Sequence, residues 1–384
     1  MIVCLFIAAS LTACGGGGGG GGSTGGSSTT SFTSGSITGF GSVIINGIRF
    51  DDSSSSVSDD DDSSRSRDDL RLGMSAEVEG SQISTDDIGR RSGSASTIRF
   101  GSEIVGPVSN VGASSLIVLG QTIVVTSTTV FDDRIRNGLA SINPGDVVEV
   151  HGLPGASAGQ YTATRIEPKS GATFYKLRGV VSNLDSNAKT FKIGTETISY
   201  ASVSGNDLPS NLANDLRVRV TLQIVQDRGV WIATKVKSGV RSPGRHEEAE
   251  LHGIITAFTS KFAFSVNGIP VDATNAAFPK GDSSIVLGAR VEVEGRSVDG
   301  SIIAKKVKPE SDDDISSEGF ELHGTISEFN AVAKTFKLRG IIVNFANRTE
   351  SVVASLADGV KVEVKGLPSL DRTELNATRI KLED

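Results

Sequence analysis

Residues 253–271, GIITAFTSKFAFSVNGIPV, are the stretch that decides the fold. Apolar and polar residues alternate on both sides of the pair Asn267-Gly268. Asparagine and glycine both tolerate positive φ, which the two central residues of a type I′ turn require. The stretch therefore predicts a β-hairpin with one apolar face.

The start of this stretch recurs along the chain at intervals of about 70 residues, which is the mark of a repeated structural unit. Isoleucine or valine stands two positions after the opening glycine, serine or threonine stands three positions after it, and an apolar residue stands five positions after it. The opening glycines are Gly35, Gly106, Gly179, Gly253 and Gly324. We interpret these as five copies of one unit.

Each unit also contains a strand in which valines alternate with charged residues, and residues 288–295, GARVEVEG, show it most clearly. The counterparts of Val291, Glu292 and Val293 are Ala76-Glu77-Val78, Val148-Glu149-Val150, Val218-Arg219-Val220 and Val362-Glu363-Val364. A last strand carries an alanine and, three residues later, isoleucine or valine. These pairs are Ala95 and Ile98, Ala163 and Ile166, Ala233 and Val236, Ala304 and Val307, and Ala377 and Ile380.

Five short antiparallel strands with one apolar face close into a small barrel, because closure removes exposed strand edges. We therefore predict an all-β fold, a tandem array of about five small five-stranded OB-like barrels after a disordered Gly/Ser-rich N-terminal tether. An SH3-like barrel or an open sandwich is the alternative, since strand order cannot be read from the pattern.

The repeat spacing predicts the domain boundaries. The β-repeats are 35–101, 102–170, 175–238, 249–308 and 320–384. Residues 239–248 form a polar linker and 309–319 an acidic one, and neither shows strand alternation. We expect exposed hinges there, and a string of barrels with some packing between neighbours.

Residues 1–14 form a predicted lipoprotein signal peptide, with an apolar stretch followed by the lipobox Leu11-Thr12-Ala13-Cys14. Small residues fit the signal peptidase, and the Cys14 thiol carries the lipid. Residues 15–34 are a Gly/Ser-rich linker. Gly15, which is not aspartate, favours sorting to the outer membrane. We therefore expect an outer-membrane lipoprotein of the bacterial cell envelope, held on the membrane through its N-terminal anchor.

Several of these motifs together resemble bacterial lipoproteins of the domain of unknown function 5666 family. They are Cys14 followed by poly-glycine, Gly35–Phe50, Leu72-Gly73-Met74 with Glu77-Val78-Glu79-Gly80, and Gly253–Val271 with Val291–Gly295. The resemblance covers most of the chain after Ser34. It implies an envelope location and repeated small β-barrels, and it supplies no established activity and no catalytic residues.

Composition excludes several classes of protein. The formal net charge is −7, and an acidic surface repels phosphate backbones, so nucleic acid is not an expected partner. The two cysteines, Cys4 and Cys14, both precede the repeats, so the repeats contain neither a disulfide nor a cysteine metal site.

Few residues point to chemistry. His252 and His323 occupy a slot that other units fill with Ser34, Val105 or Arg178, so we expect them at the surface. We expect His151 on a charged strand face and His246 in a linker. Adjacent carboxylates attract calcium, so the run Asp59, Asp60, Asp61 and Asp62 is a weak calcium candidate. We predict no catalytic residue and no cofactor.

The sequence thus predicts a non-catalytic, lipid-anchored envelope protein that displays tandem β-barrel modules for binding or structural spacing. Its ligand, an envelope protein or a glycan, is not specified. One alternative is a glycan-directed hydrolase, which needs two carboxylates converging within about 10 Å. The other is an assembly or chaperone factor that binds through sheet edges.

Overall fold

The computed structural model describes residues 30–155, 157–311, 319–348, 353–369 and 374–383. The predicted signal peptide, the lipobox with Cys14, the linker before Thr30 and residues 312–318 of the acidic linker lie outside these ranges. None of the described helices is long and apolar enough to cross a bilayer.

The predicted fold class is confirmed: the described chain forms five small β-barrels. Barrel 1 consists of β1 (Thr30–Phe40), β2 (Val43–Ile45), β3 (Ile48–Asp51), β4 (Ser56–Asp59), β5 (Ser64–Arg65), β6 (Ser75–Ser81), β7 (Ser84–Thr85) and β8 (Arg91–Gly101). Barrel 2 consists of β9 (Ile104–Val111), β10 (Ser115–Val118), β11 (Gln121–Phe131), β12 (Val147–Pro154) and β13 (Gln160–Pro168). Short 3-10 helices lie before the fourth barrel strand at Arg67–Asp69, Gly138–Ser141 and Gly205–Asp207, in barrels 1, 2 and 3.

The other three barrels repeat the five-strand unit. Barrel 3 consists of β14 (Tyr175–Asp185), β15 (Thr190–Ile193), β16 (Glu196–Ser199), β17 (Arg217–Leu222) and β18 (Trp231–Ser238). Barrel 4 consists of β19 (His246–Ser260), β20 (Ala263–Val266), β21 (Ile269–Asp272), β22 (Arg290–Val298) and β23 (Ser301–Pro309). Barrel 5 consists of β24 (Phe320–Asn330), β25 (Thr335–Leu338), β26 (Ile341–Asn344), β27 (Lys361–Pro368) and β28 (Leu375–Leu382).

Strand pairing is the same in all five barrels. In barrel 4, β19 pairs antiparallel with β20 and β22, β20 pairs antiparallel with β21, β21 pairs parallel with β23, and β22 pairs antiparallel with β23. The closed order is first, second, third, fifth, fourth, first, which is the OB order. Barrels 1, 2, 3 and 5 close in the same order. The SH3-like alternative is therefore wrong, and barrel 1 adds β4, β5 and β7 to the common unit.

The hairpin turns form as predicted. Asn267 and Gly268 have φ values of 51° and 88°, and Asn46 and Gly47 have 54° and 71°. Both central residues are thus left-handed, as a type I′ turn requires. The tight turn sets the register of the second and third strands in barrels 4 and 1.

The alternating fourth strand buries its valines, as predicted. Its central valine is fully buried in all five barrels: these residues are Val78, Val150, Val220, Val293 and Val364. The apolar cores are partly shared between barrels. One contiguous cluster joins barrels 2 and 3, a second joins barrels 1 and 5, and a third fills barrel 4 and includes Phe32 of β1.

The barrels pack against one another, and some of the contacts join barrels that are not neighbours in the sequence, where only some packing between neighbours was expected. Strand β1 pairs in parallel with β19 of barrel 4 and with β24 of barrel 5. Strands β9 of barrel 2 and β14 of barrel 3 pair antiparallel and so join these two barrels. Barrel 1 therefore lies between partners that are distant in sequence. The strands also extend into the predicted linkers, since β1 begins at Thr30 and β19 at His246.

Candidate functional site

One position that is polar or charged in every barrel, apart from Val105 in barrel 2, recurs along the chain, and we call it the shared charged position. It comprises the two residues that stand one and three places before the opening glycine, the central charged residue of the fourth strand, and the residue after the fifth strand. In barrel 4, the register places His252 opposite Glu292, and the equivalent pairs are Ser34 and Glu77, Val105 and Glu149, Arg178 and Arg219, and His323 and Glu363.

Barrel 4 places one histidine among glutamates at the shared charged position. His252 Nε2 lies 3.2 Å from Glu250 Oε1, and Nδ1 lies 2.9 Å from Glu310 Oε1. Burial disfavours a charged ring, but the hydrogen bonds to both carboxylates outweigh it and raise the pKa of His252 to about 9. His252 is therefore a cation at neutral pH. Arg91 of barrel 1 pairs with Glu250 from outside the barrel.

Barrel 5 repeats this arrangement. His323 Nε2 lies 2.7 Å from Glu321 Oε1, and Nδ1 lies 2.6 Å from Glu383 Oε1. Burial opposes the charge, yet the hydrogen bonds to Glu321 and Glu383 raise the pKa of His323 above its ordinary 6.5. Arg49 of barrel 1 reaches the same group, with 2.7 Å between Nη2 and Glu321 Oε1.

Barrel 3 has the opposite charge at the shared charged position. Lys176 Nζ and Arg178 Nη2 each donate to the Asp60 carboxylate of barrel 1 over 2.8 Å, and Arg219 Nη1 lies 3.0 Å from it. Burial alone would raise the pKa of Asp60, but these three cations hold it well below the usual range. Barrel 1 thus supplies an anion, Asp60, to barrel 3, and cations, Arg91 and Arg49, to barrels 4 and 5.

The two histidine clusters have ligand atoms close enough together to suggest a metal. The groups are Glu250, His252 and Glu292, and His323, Glu363 and Glu383, with atoms within 4.8 Å of one another. Their carboxylates are already paired with basic side chains, for example Glu292 with Lys308 over 2.7 Å and Glu363 with Arg379. Because the hydrogen bonds to these carboxylates also favour the protonated form of His252 and His323, little negative charge remains for a metal ion. We interpret both clusters as ion-pair networks.

The four predicted calcium ligands face basic side chains. Asp59 pairs with Arg65 over 2.6 Å, Asp60 is held by barrel 3, and Asp61 pairs with Arg219 over 2.8 Å. Asp62 lies 3.1 Å from Arg99 and 3.3 Å from Arg241. The sequence does not show these partners, because all but Arg65 are far away in the chain. Calcium binding at this loop stays a prediction.

The expectation that His252 and His323 lie at the surface and His246 in a linker is wrong, whereas His151 lies on the face of β12 that also carries Glu149, as expected. His151 is 1% exposed, His246 9% and His323 7%, and the His252 side chain is 15% exposed. The strand faces that carry these histidines would be exposed on an isolated barrel, but the neighbouring barrels cover them. One sequence signal could have found two of them, since Glu-x-His precedes the opening glycine at both 250–252 and 321–323.

Three cavities lie at junctions between barrels. A cavity of about 660 Å³ lies between barrels 1, 2 and 5, one of about 910 Å³ lies among barrels 1 to 4, and one of about 460 Å³ lies between barrels 1, 2 and 3. The sequence could not predict them, because each is lined by residues from units far apart in the chain.

The class defined by this fold is that of repeated OB-like β-barrel proteins. Three segments, 105–167, 252–308 and 323–381, match a domain of unknown function (DUF5666). They correspond to barrels 2, 4 and 5, whereas barrel 1, which contributed most to the resemblance noted above, lies outside them.

No curated protein matches the chain significantly. A solved structure titled "drosophila Unr CSD456" aligns with 14% identity over 56% of this chain and 98% of its own, with a TM-score of 0.14. An overlap this poor carries no argument about function.

Proposed function

We propose that this chain is a non-catalytic lipoprotein of the bacterial cell envelope, whose five barrels form one body that presents a binding or spacing surface to an envelope protein or a glycan. The observation that carries the proposal is that charged side chains form ion pairs between the barrels. Asp60, Arg91 and Arg49 of barrel 1 each pair with the shared charged position of another barrel. These groups hold the barrels together, which is a structural role.

The lipid anchor is supported by the sequence. Leu11-Thr12-Ala13-Cys14 has the small residues and the thiol that lipid attachment requires, and the linker after it leads to β1 at Thr30.

The anchor is tested by replacing Cys14 in cells that make the full chain. Cys14→Ser should abolish labelling by a fatty-acid analogue and move the protein from the membrane fraction to the soluble fraction. Cys4→Ser is the matched control, because it removes the other thiol and leaves the lipobox intact. Unchanged labelling of Cys14→Ser would contradict the anchor.

The binding role is tested with the purified protein and a panel of envelope glycans and proteins. A ligand should raise the melting temperature and be recovered chemically unchanged. A glycan that is cleaved at a rate proportional to protein concentration would contradict the non-catalytic proposal.

A further inference from the structure

The cavity of about 660 Å³ between barrels 1, 2 and 5 has a largely apolar lining, since ten of its twenty lining residues are apolar. Its buried walls come from all three barrels: Leu72 from barrel 1, Phe131 from barrel 2, and Phe320 and Leu375 from barrel 5. Concave, mostly apolar sites of roughly 300–1,000 Å³ at domain junctions are typical of small-molecule binding. The volume and the walls therefore suit a small ligand with an apolar body.

The charged residues of this cavity favour an anion. Five arginines and four carboxylates line it, which leaves one positive charge in excess, whereas the whole chain has a formal net charge of −7. One of the carboxylates, Asp132, is already neutralised, because it lies 2.6 Å from Arg134 Nε and 2.9 Å from Arg165 Nη2.

The other three arginines, Arg67, Arg71 and Arg339, form no ion pair within the described parts of the chain. Their guanidinium groups donate only to main-chain oxygens, over 3.3 Å for Arg67, 2.9 Å for Arg71 and 2.8 Å for Arg339. The Nη2 atom of each arginine thus keeps its N–H groups for a ligand. Guanidinium groups bind carboxylates and phosphates through pairs of such donors.

The arginines and the apolar walls occupy different depths of the cavity. Arg67 and Arg71 flank the short 3-10 helix of barrel 1, and Arg339 lies in the turn between β25 and β26. All three arginines are exposed, whereas the wall residues are buried. The cations therefore lie at the mouth, and the apolar groups lie deeper.

We propose that this cavity binds a small molecule of the long-chain carboxylate class, with its apolar chain between the barrels and its carboxylate at Arg71 and Arg339. A cationic ligand would meet the arginines, and a sugar would place its hydroxyl groups against apolar walls without hydrogen-bond partners. Because Leu72, Phe131 and Phe320 belong to three different barrels, the site exists only in the packed array. It does not depend on the lipid anchor or on the envelope location.

The test uses the full chain with Cys14→Ser, which needs no detergent that would compete for an apolar cavity. Calorimetry with sodium decanoate should show one molecule bound per chain, at least tenfold more tightly than decyltrimethylammonium. Affinity should rise about fourfold for each methylene from hexanoate to decanoate, as the chain is buried.

The double variant Arg71→Gln/Arg339→Gln should weaken decanoate binding by about tenfold or more and leave binding of decyltrimethylammonium unchanged. Arg136→Gln is the matched control, because Arg136 is an exposed arginine of barrel 2 that lies outside the cavity lining. It should leave both affinities unchanged. The melting temperature of each variant without ligand checks its fold.

Four results would overturn the proposal. They are no decanoate binding, binding of decyltrimethylammonium that is equally tight or tighter, an affinity that does not rise with chain length, and equal decanoate affinities in the double variant and Arg136→Gln. None of these results bears on the Cys14 anchor, whose labelling test is independent of this cavity.

Discussion

The Asp60 carboxylate of barrel 1 accepts a hydrogen bond from the Arg178 guanidinium of barrel 3, with 2.8 Å between Oδ2 and Nη2. The two residues are 118 positions apart in the chain. Their contact shows how the array is assembled, because barrel 1 inserts charged side chains into the same position of its neighbours. Asp60 enters barrel 3, Arg91 reaches barrel 4 and Arg49 reaches barrel 5.

Replacing Asp60 should destabilise the protein strongly. Asp60→Ala leaves Lys176, Arg178 and Arg219 without their common anion in a largely buried site, where breaking an ion pair costs about 3–5 kcal/mol. Denaturant unfolding measures the loss. Asp62→Ala is the control, because the Asp62 side chain is 67% exposed and its ion pairs should contribute less than about 1 kcal/mol. Equal losses in the two variants would argue against docking through Asp60.

The His252 cluster should make stability depend on pH. The folded pKa of His252 is raised to about 9 from the ordinary 6.5, so its stabilisation is complete below pH 6.5 and is lost as the pH rises through 9. The shift corresponds to at most about 3 kcal/mol. The free energy of unfolding of the native protein and of His252→Gln should differ at pH 6.5 and converge near pH 10. A difference that stays constant over this range would disprove the charged histidine.

A substitution at Val293 tests which face of the alternating strand β22 is buried. Val293→Asp places a charge at a fully buried position of β22 and should cost several kcal/mol. Arg296→Asp on the same strand is the control, because Arg296 is exposed, and it should change stability by about 0.5 kcal/mol or less. Thermal unfolding of both variants gives the comparison. A normal melting temperature for Val293→Asp would mean that the valine does not face the core.

The barrel 4 hairpin turn depends on Asn267 in two ways. Its φ is 51°, and its side chain accepts from the Ile254 N–H over 3.0 Å and donates to the His252 carbonyl over 3.2 Å. Asn267→Ala should lose about 2–3 kcal/mol, from left-handed strain and from the lost hydrogen bonds. In Asn267→Gly the glycine adopts the left-handed conformation without strain, so this variant should lose only the stability contributed by the two hydrogen bonds. Equal losses in the two variants would show that strain does not matter here.

Much of the fold could be predicted from the sequence, because the signals are local. Asn-Gly pairs determine the tight turns, and the alternation around Val293 determines which face of β22 is buried. Five copies of one pattern indicate five copies of one barrel, since equal patterns of buried residues favour equal shapes. Strand order was not predictable, because the parallel pairing of third and fifth strands joins segments with no common local signal.

By itself the sequence determined the unit, its number and its apolar face, since these depend on side-chain periodicity within a few residues. Only the tertiary structure decided how the barrels meet, which histidines are buried, and that Asp60 faces Lys176 and Arg178. The physical reason is distance along the chain. Charge pairing and burial between barrels depend on surfaces that come together only after each unit has folded. The periodicity within one unit therefore does not predict them.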